Sequence, residues 1–301
     1  MISVIKSIRL ALYSVLFFTV LINDSYSSTY VLPAIGNIIG KVQYASSRIG
    51  ESIDEAGRRF NIGYYEMTRA NPSVDPIHSL PAHTRLVIPS QFILPDAPRK
   101  GIVINLAEYR LYYFPEDENV VFSYPVGIGK KGWNTPLGLT KVSSKVTNPV
   151  WRPTANLRAA AEDIGAPLPE LFPAGADNPL GKHALRLGWP TILIHGTNRT
   201  DGVGARVSAG CIRMLPADIE ELYQLVARGT PVRIINQPIK LGVQDDASYI
   251  QIHPLLTEQQ KMSLKEYLEL TLKKNNLAMM SGNQMIQNEL LHPSGLLRKI
   301  S

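Results

Sequence analysis

Apolar residues follow three different rhythms along this chain. Leu10 to Ile22 is a nearly unbroken apolar run behind Lys6 and Arg9, and it ends in the small, polar stretch Asn23-Asp24-Ser25-Tyr26-Ser27. A basic start, a short apolar run and small residues at the break are the parts of an export signal. The run is shorter than the roughly 20 residues a bilayer span needs, so residues 1–27 are expected to be cleaved off near residue 27. The second rhythm is helical. Ile53, Ala56, Gly57 and Phe60 share one face of a helix over 51–60. Asn61-Ile62-Gly63 is expected to stop it, with Gly63 supplying a positive φ. Tyr64 to Ala70 reads as a second short helix ended by Asn71-Pro72, between a weak strand at Val42-Gln43-Tyr44 and a firmer one at Leu86-Val87-Ile88. Residues 40–90 thus form a βααβ unit.

Beyond residue 100 the rhythm is that of strands. Ile102 to Leu106 and Arg110 to Phe114 flank a short turn and predict a hairpin, with further strands at Val120 to Tyr124 and Leu139 to Val146. The stretch 91–100 carries two prolines and reads as a semi-rigid linker. Residues 148–182 are rich in Pro, Ala and Gly, with a short helix at Leu157 to Ile164. A loop of that length in a compact domain is usually functional, as a lid or substrate wall. Thr191 to Ile194 predicts a strand ending at His195. Ala217 to Ala227 predicts an amphipathic helix bearing Ile219, Leu222, Tyr223 and Val226 on one face, followed by a strand at Pro231 to Ile235. After Pro238, Ser248 to His253 is a candidate strand, and Thr257-Glu258-Gln259-Gln260 fits a capping box opening a helix to about Lys274. Residues 276–301 read as loosely ordered. The expected order is signal 1–27, βααβ unit 40–90, linker 91–100, mainly β domain 101–236 and a C-terminal extension with a helix, 237–301.

Composition alters this picture in two ways. The net charge of +6 and pI near 9.3 suit an anionic environment, but the basic residues form no run or helical stripe, so no nucleic-acid partner is expected. The chain also has a single cysteine, Cys211. An exported protein with one thiol cannot close an internal disulfide. That leaves an inert core residue, an intermolecular bridge or a reactive thiol.

The surroundings of Cys211 favour reactivity. It sits in Val207-Ser208-Ala209-Gly210-Cys211-Ile212-Arg213-Met214, and His195-Gly196-Thr197 closes the preceding strand. A thiol and an imidazole at the ends of neighbouring elements are the minimum parts of a cysteine nucleophile and its base. The imidazole and a helix expected to begin near Arg213 would both favour the thiolate. Gly210 lets the backbone turn tightly, and the N–H groups of Gly210 and Cys211 are candidate oxyanion donors. Trp133, Trp151 and His183 are weaker candidates for lining the cleft. No ligand set for a metal is readable, and no cofactor is expected.

His195-Gly196-Thr197-Asn198 followed by Ser208-Ala209-Gly210-Cys211-Ile212-Arg213 resembles the signature of the YkuD-type L,D-transpeptidases. Asn105 to Tyr113, Tyr124 to Gly129, Thr135 to Gly138 and Asn178 to Gly188 resemble the subgroup with an N-terminal LysM module, which includes periplasmic enzymes that tether Braun's lipoprotein to peptidoglycan. The βααβ unit itself resembles LysM, with Gly50-Glu51-Ser52 in place of the usual Gly-Asp-Thr. The resemblance implies a mainly β, sandwich-like catalytic domain with Cys211 as nucleophile and His195 as base. It further implies that the Gly196 carbonyl orients the imidazole, that Arg213 holds substrate or shapes the pocket, and that Ser208 fixes the turn. The competing role for Arg213 is a structural ion pair. Ala209 departs from the family, in which many members carry histidine, so a role for that second histidine does not transfer. The implied substrates are peptidoglycan stem peptides and glycan strands. The acyl acceptor would be a second stem, an outer-membrane lipoprotein or other envelope protein, or water in a carboxypeptidase side reaction. Carbapenem-type inhibitors would acylate Cys211. The competing reading is a non-catalytic wall-binding protein. A papain-like peptidase is disfavoured because its cysteine precedes its histidine in the chain.

Overall fold

In a computed structural model, residues 29–256, 258 and 261–301 are described. The expected export signal lies outside them. Among the described residues no helix is long and apolar enough to cross a membrane.

The main domain is built on one hydrogen-bonded sheet that folds over on itself. Its strands run in the order 29–31, 120–125, 110–114, 101–105, 231–235, 138–147, 183–187, 193–195 and 212–213. The long strand Gly138–Thr147 belongs to both halves. Gly138 to Lys141 pair with Pro231 to Ile234, and Val142 to Thr147 pair with His183 to Leu187, with a bulge between Val142 and Ser144. A bulge adds bend and twist to one strand. The two halves then face one apolar core: Ile102, Ile104, Val232 and Ile234 meet Leu185, Leu187, Ile194 and Ile212, with Ile219 and Leu222 of the helix Pro216–Leu225. The sandwich expected from resemblance is thus built from a single sheet.

The βααβ unit comprises strand Gln43–Ser46, helices Ile53–Arg58 and Tyr64–Ala70, and strand Arg85–Ile88, its two strands antiparallel. Ser52 and Glu55 cap the first helix reciprocally. The positive φ after that helix falls on Asn61 (φ 54), not on Gly63 as expected. Gly63 instead N-caps the second helix, and a Cβ there would come within 2.7 Å of the Gly204 Cα. The glycine is required by close backbone approach: Tyr64 N and Tyr65 N donate to the carbonyls of Val203 and Gly204.

The stretch 91–100 differs from the expected linker. Gln91–Ile93 pairs with Ile38–Gly40, and Phe92, Ile93 and Leu94 are fully buried. The second core runs through it without a break, from Ile53, Phe60 and Met67 through Phe92 to Val103, Tyr112, Phe114 and Val121 of the large sheet. Two buried ion pairs pin the segments together. Arg110 grips Glu66 bidentately, Nε to Oε1 at 2.9 Å and Nη2 to Oε2 at 2.8 Å. Lys240 Nζ donates to Glu108, which also accepts from Tyr112 Oη at 3.0 Å and Asn105 Nδ2 at 2.7 Å.

The C-terminal part is more ordered than expected. Its helix begins at Leu264, N-capped by Ser263 with Glu266 closing the box; of the box expected at 257–260, residues 257, 259 and 260 lie outside the described residues. Residues 276–301 contain a helix, Gln284–Leu291, and a strand, Leu297–Lys299, paired with Tyr249 to Gln251. Ile286 and Ile300 bury against Ile250, Leu268 and Leu272.

Candidate active site

His195 ends strand Leu193–His195, and Arg213 ends strand Ile212–Arg213. The two strands run parallel, Ile194 opposite Ile212 and His195 opposite Arg213. Side chains alternate along a strand, so Leu193, His195 and Arg213 share one face. Cys211, two residues before Arg213, enters on that face. All four line one cavity of about 550 Å³, with Lys130, Trp133, Trp151 and Ser208 also on its wall. The loop 148–182 supplies Trp151, Thr154, Leu157 and Leu180 to the rim. Among the described residues no aspartate or glutamate lines the cavity, and Lys130 and Arg213 bring positive charge to it.

The His195 ring is 4% exposed, and its Nδ1 lies 2.6 Å from the Gly196 carbonyl. A carbonyl only accepts, so Nδ1 carries the hydrogen and Nε2 keeps its lone pair. Burial pulls the imidazole down to about 4, opposed by the Gly196 carbonyl and reinforced by the Arg213 charge. His195 is neutral at pH 7.

The Cys211 thiol is half-buried and donates to the Thr191 carbonyl at 3.3 Å. Burial pushes the thiol up, against the lowering effects of the Leu193 N–H and Arg213. The resting pair is a neutral thiol and a neutral imidazole, which corrects the expectation of a favoured thiolate. The helix expected beside Cys211 starts only at Pro216, after the short strand Ile212–Arg213. Proline at the first helical position sets that start.

The turn before Cys211 is held by Ser208. Its Oγ accepts from Gly210 N at 3.1 Å and donates to the Cys211 carbonyl at 2.5 Å. Gly210 has φ 106, a conformation natural to glycine. Its carbonyl accepts from Thr135 Oγ1 at 2.9 Å, which in turn accepts from Gly129 N. The Gly210 N–H, expected as an oxyanion donor, is therefore already engaged. The Cys211 N–H has no acceptor among the described residues.

Among the described residues Arg213 is in no ion pair. Asp201, the acid that influences it most, is paired with Arg199, and Arg213 Nε is buried without a partner among the described residues. Trp133 and Trp151 line the cavity as expected. His183 does not; it packs against Tyr223 with ring centroids 4.5 Å apart and planes tilted by 40°. Sequence reasoning missed Thr191, Lys130 and Leu193. No sequence signal marks the carbonyl of Thr191, whose role depends on an unusual φ of 67.

Residues 99–234 match the family described as YkuD, the L,D-transpeptidase catalytic domain. Curated relatives align well beyond that span. The chain is 44% identical over 240 residues to "Probable L,D-transpeptidase YcfS" of Escherichia coli, covering 77% of this chain and 75% of the relative. It is 42% identical over 254 residues to "Probable L,D-transpeptidase YbiS" of the same organism, covering 82% of each. It is 41% identical over 247 residues to "Probable L,D-transpeptidase ErfK/SrfK" of Salmonella typhimurium, covering 80% of this chain and 79% of the relative.

Proposed function

This chain belongs to the L,D-transpeptidase family, and on that premise we propose that it works in the periplasm, transferring an acyl group from a peptidoglycan tetrapeptide stem through a thioester on Cys211. The observation that carries the reading is the shared cavity. A thiol, a neutral imidazole with a free Nε2 and an unpaired guanidinium meet there on one sheet face, with no carboxylate among them.

The chemistry follows from the neutral resting pair. On substrate binding the thiol leaves the Thr191 carbonyl and passes its proton to His195 Nε2, while sulfur attacks the amide carbonyl between the third residue of the stem, a meso-diaminopimelate, and the terminal D-alanine. The oxyanion forms against the Cys211 N–H. Collapse breaks the C–N bond, and the imidazolium returns its proton to the departing D-alanine amine. The Arg213 guanidinium suits the stem's carboxylates. An amine then attacks the thioester. A second diaminopimelate gives a 3→3 cross-link, an envelope protein becomes tethered, and water gives carboxypeptidation. The βααβ unit, as a LysM-like module, would hold the enzyme on glycan strands.

Purified enzyme incubated with a disaccharide tetrapeptide should release D-alanine and carry the remaining disaccharide tripeptide as a mass adduct on Cys211. Release of D-alanine by Cys211→Ala at the wild-type rate would overturn the reading.

A further inference from the structure

Three consecutive peptide units make the turn into Cys211, and two residues share the work of holding them. Ser208 Oγ accepts from Gly210 N and donates to the Cys211 carbonyl, which belong to the first unit and the third. The middle unit carries the Gly210 carbonyl and the Cys211 N–H. Its partner is Thr135, whose Oγ1 donates to the Gly210 carbonyl at 2.9 Å. The carbonyl and N–H of one trans peptide lie in one plane and point in opposite directions. A bond that fixes the Gly210 oxygen therefore also fixes where the Cys211 N–H points. Without it the unit would turn easily, because Gly210, at φ 106, has no Cβ to limit its rotation.

Thr135 is firmly placed for this. It is 1% exposed and forms no part of the cavity wall. Its Oγ1 accepts from Gly129 N at 3.0 Å, which leaves the single hydroxyl hydrogen for the Gly210 carbonyl. Pro136 follows it and confines its backbone to extended conformations. The loop before it packs closely on both neighbours. A Cβ on Gly129 would come within 2.1 Å of the Trp133 carbonyl oxygen, and one on Gly210 within 3.4 Å of the Asn134 carbonyl oxygen. Further out, Arg206 Nε donates to the Gly129 carbonyl at 3.3 Å, and its guanidinium pairs with Glu258 of the C-terminal extension.

We propose that Thr135 is a positioning residue for the oxyanion site, its hydroxyl aiming the Cys211 N–H at the oxygen that becomes negative when sulfur attacks. This rests on the reading of Cys211 as acyl carrier. Thr135 does not reach the cavity and acts through the Gly210–Cys211 peptide. A donor aimed in advance needs no reorganisation as charge develops. Its benefit falls on the tetrahedral stage, where the oxygen carries charge, and not on binding of the neutral amide. Thr135 and Pro136, which stand out in the sequence without any acid–base chemistry of their own, thus serve the nucleophile from behind.

Two reactions of the same sulfur separate this role from a merely structural one. Acylation by a β-lactam passes through a tetrahedral oxyanion. Alkylation by iodoacetamide displaces iodide at a saturated carbon and forms none. Thr135→Val is nearly isosteric and removes the hydroxyl. On folded enzyme it should lower the limiting acylation rate about tenfold or more, with the apparent β-lactam affinity and the alkylation rate unchanged. Thr135→Ser should recover most of the acylation rate. If Thr135→Val does not fold, Arg206→Met takes its place by cutting the support one step further out, and the same pattern is expected with a smaller loss. Unchanged acylation in the folded variant, equal losses of acylation and alkylation, or no recovery in Thr135→Ser would overturn the proposal. A wild-type enzyme that is alkylated but never acylated would reject the underlying reading, and the proposal with it.

Discussion

His195 Nδ1 sits 2.6 Å from the carbonyl of the next residue, Gly196, and that contact fixes the Nδ1–H tautomer of a ring that lines the cavity. Burial holds the ring at about 4, below the ordinary histidine value of about 6.5. The acid limb of kcat/KM should therefore fall near pH 4. The sign for stability follows from the same shift. Between those two values the unfolded chain binds the proton more readily, so stability falls as pH drops through the window from about 6.5 toward 4. A pH–rate profile, with circular dichroism at each point to verify the fold, checks this; an acid limb near 6.5 on folded protein would contradict it.

Cys211 is displaced the other way, upward by burial. Since it is the only cysteine, alkylation by iodoacetamide reports on it alone. The rate should keep rising with pH through and beyond the ordinary thiol range. A plateau near neutrality would show a preformed thiolate–imidazolium pair instead.

Ser208 holds the nucleophile's turn by bonding both Gly210 N and the Cys211 carbonyl. Ser208→Ala leaves these groups to find other partners, at a cost of about 1–3 kcal/mol. Acylation should slow by roughly 10- to 100-fold, as that energy converts. Stopped-flow acylation by a β-lactam measures it, and an unchanged rate would remove Ser208 from the positioning machinery.

Glu66 and Arg110 join the βααβ unit to the catalytic sheet, with side chains 7% and 1% exposed. Glu66→Gln leaves a buried guanidinium without its counter-charge, and such breaks cost about 3–5 kcal/mol. Urea denaturation should show that loss in one transition, because Phe92 and its neighbours make a common core of the two units. A loss below about 1 kcal/mol, or separate unfolding of the two units, would contradict the shared core. The same core makes deletion of residues 40–90 a poor test of glycan binding, since it would bare Val103, Tyr112, Phe114 and Val121.

The elements most legible in the sequence were those with local periodicity. Helix Tyr64–Ala70 and strands Arg110–Phe114 and Pro231–Ile235 end where their patterns end. That Cys211 and His195 belong near one another was also legible, since a lone thiol and a strand-ending histidine are rare signals, and both line one cavity. Elements that depend on distant partners were not. Gln91–Ile93 reads as part of a proline-bounded spacer until Ile38–Gly40 pairs with it, and Leu297–Lys299 needs Tyr249 to Gln251. The protonation states are not legible because burial of the thiol and imidazole is set by the closed sheet rather than by neighbours in sequence; on the thiol it outweighs the charge of Arg213, and on the imidazole the two act together. The Thr191 conformation belongs to the same class.

The central claim is that Cys211 carries the acyl group, and intact-mass measurement after incubation with a carbapenem tests it most directly. The account predicts a single adduct of one inhibitor on the wild-type chain and none on Cys211→Ala. No adduct on folded wild type, or an adduct that survives Cys211→Ala, would contradict it.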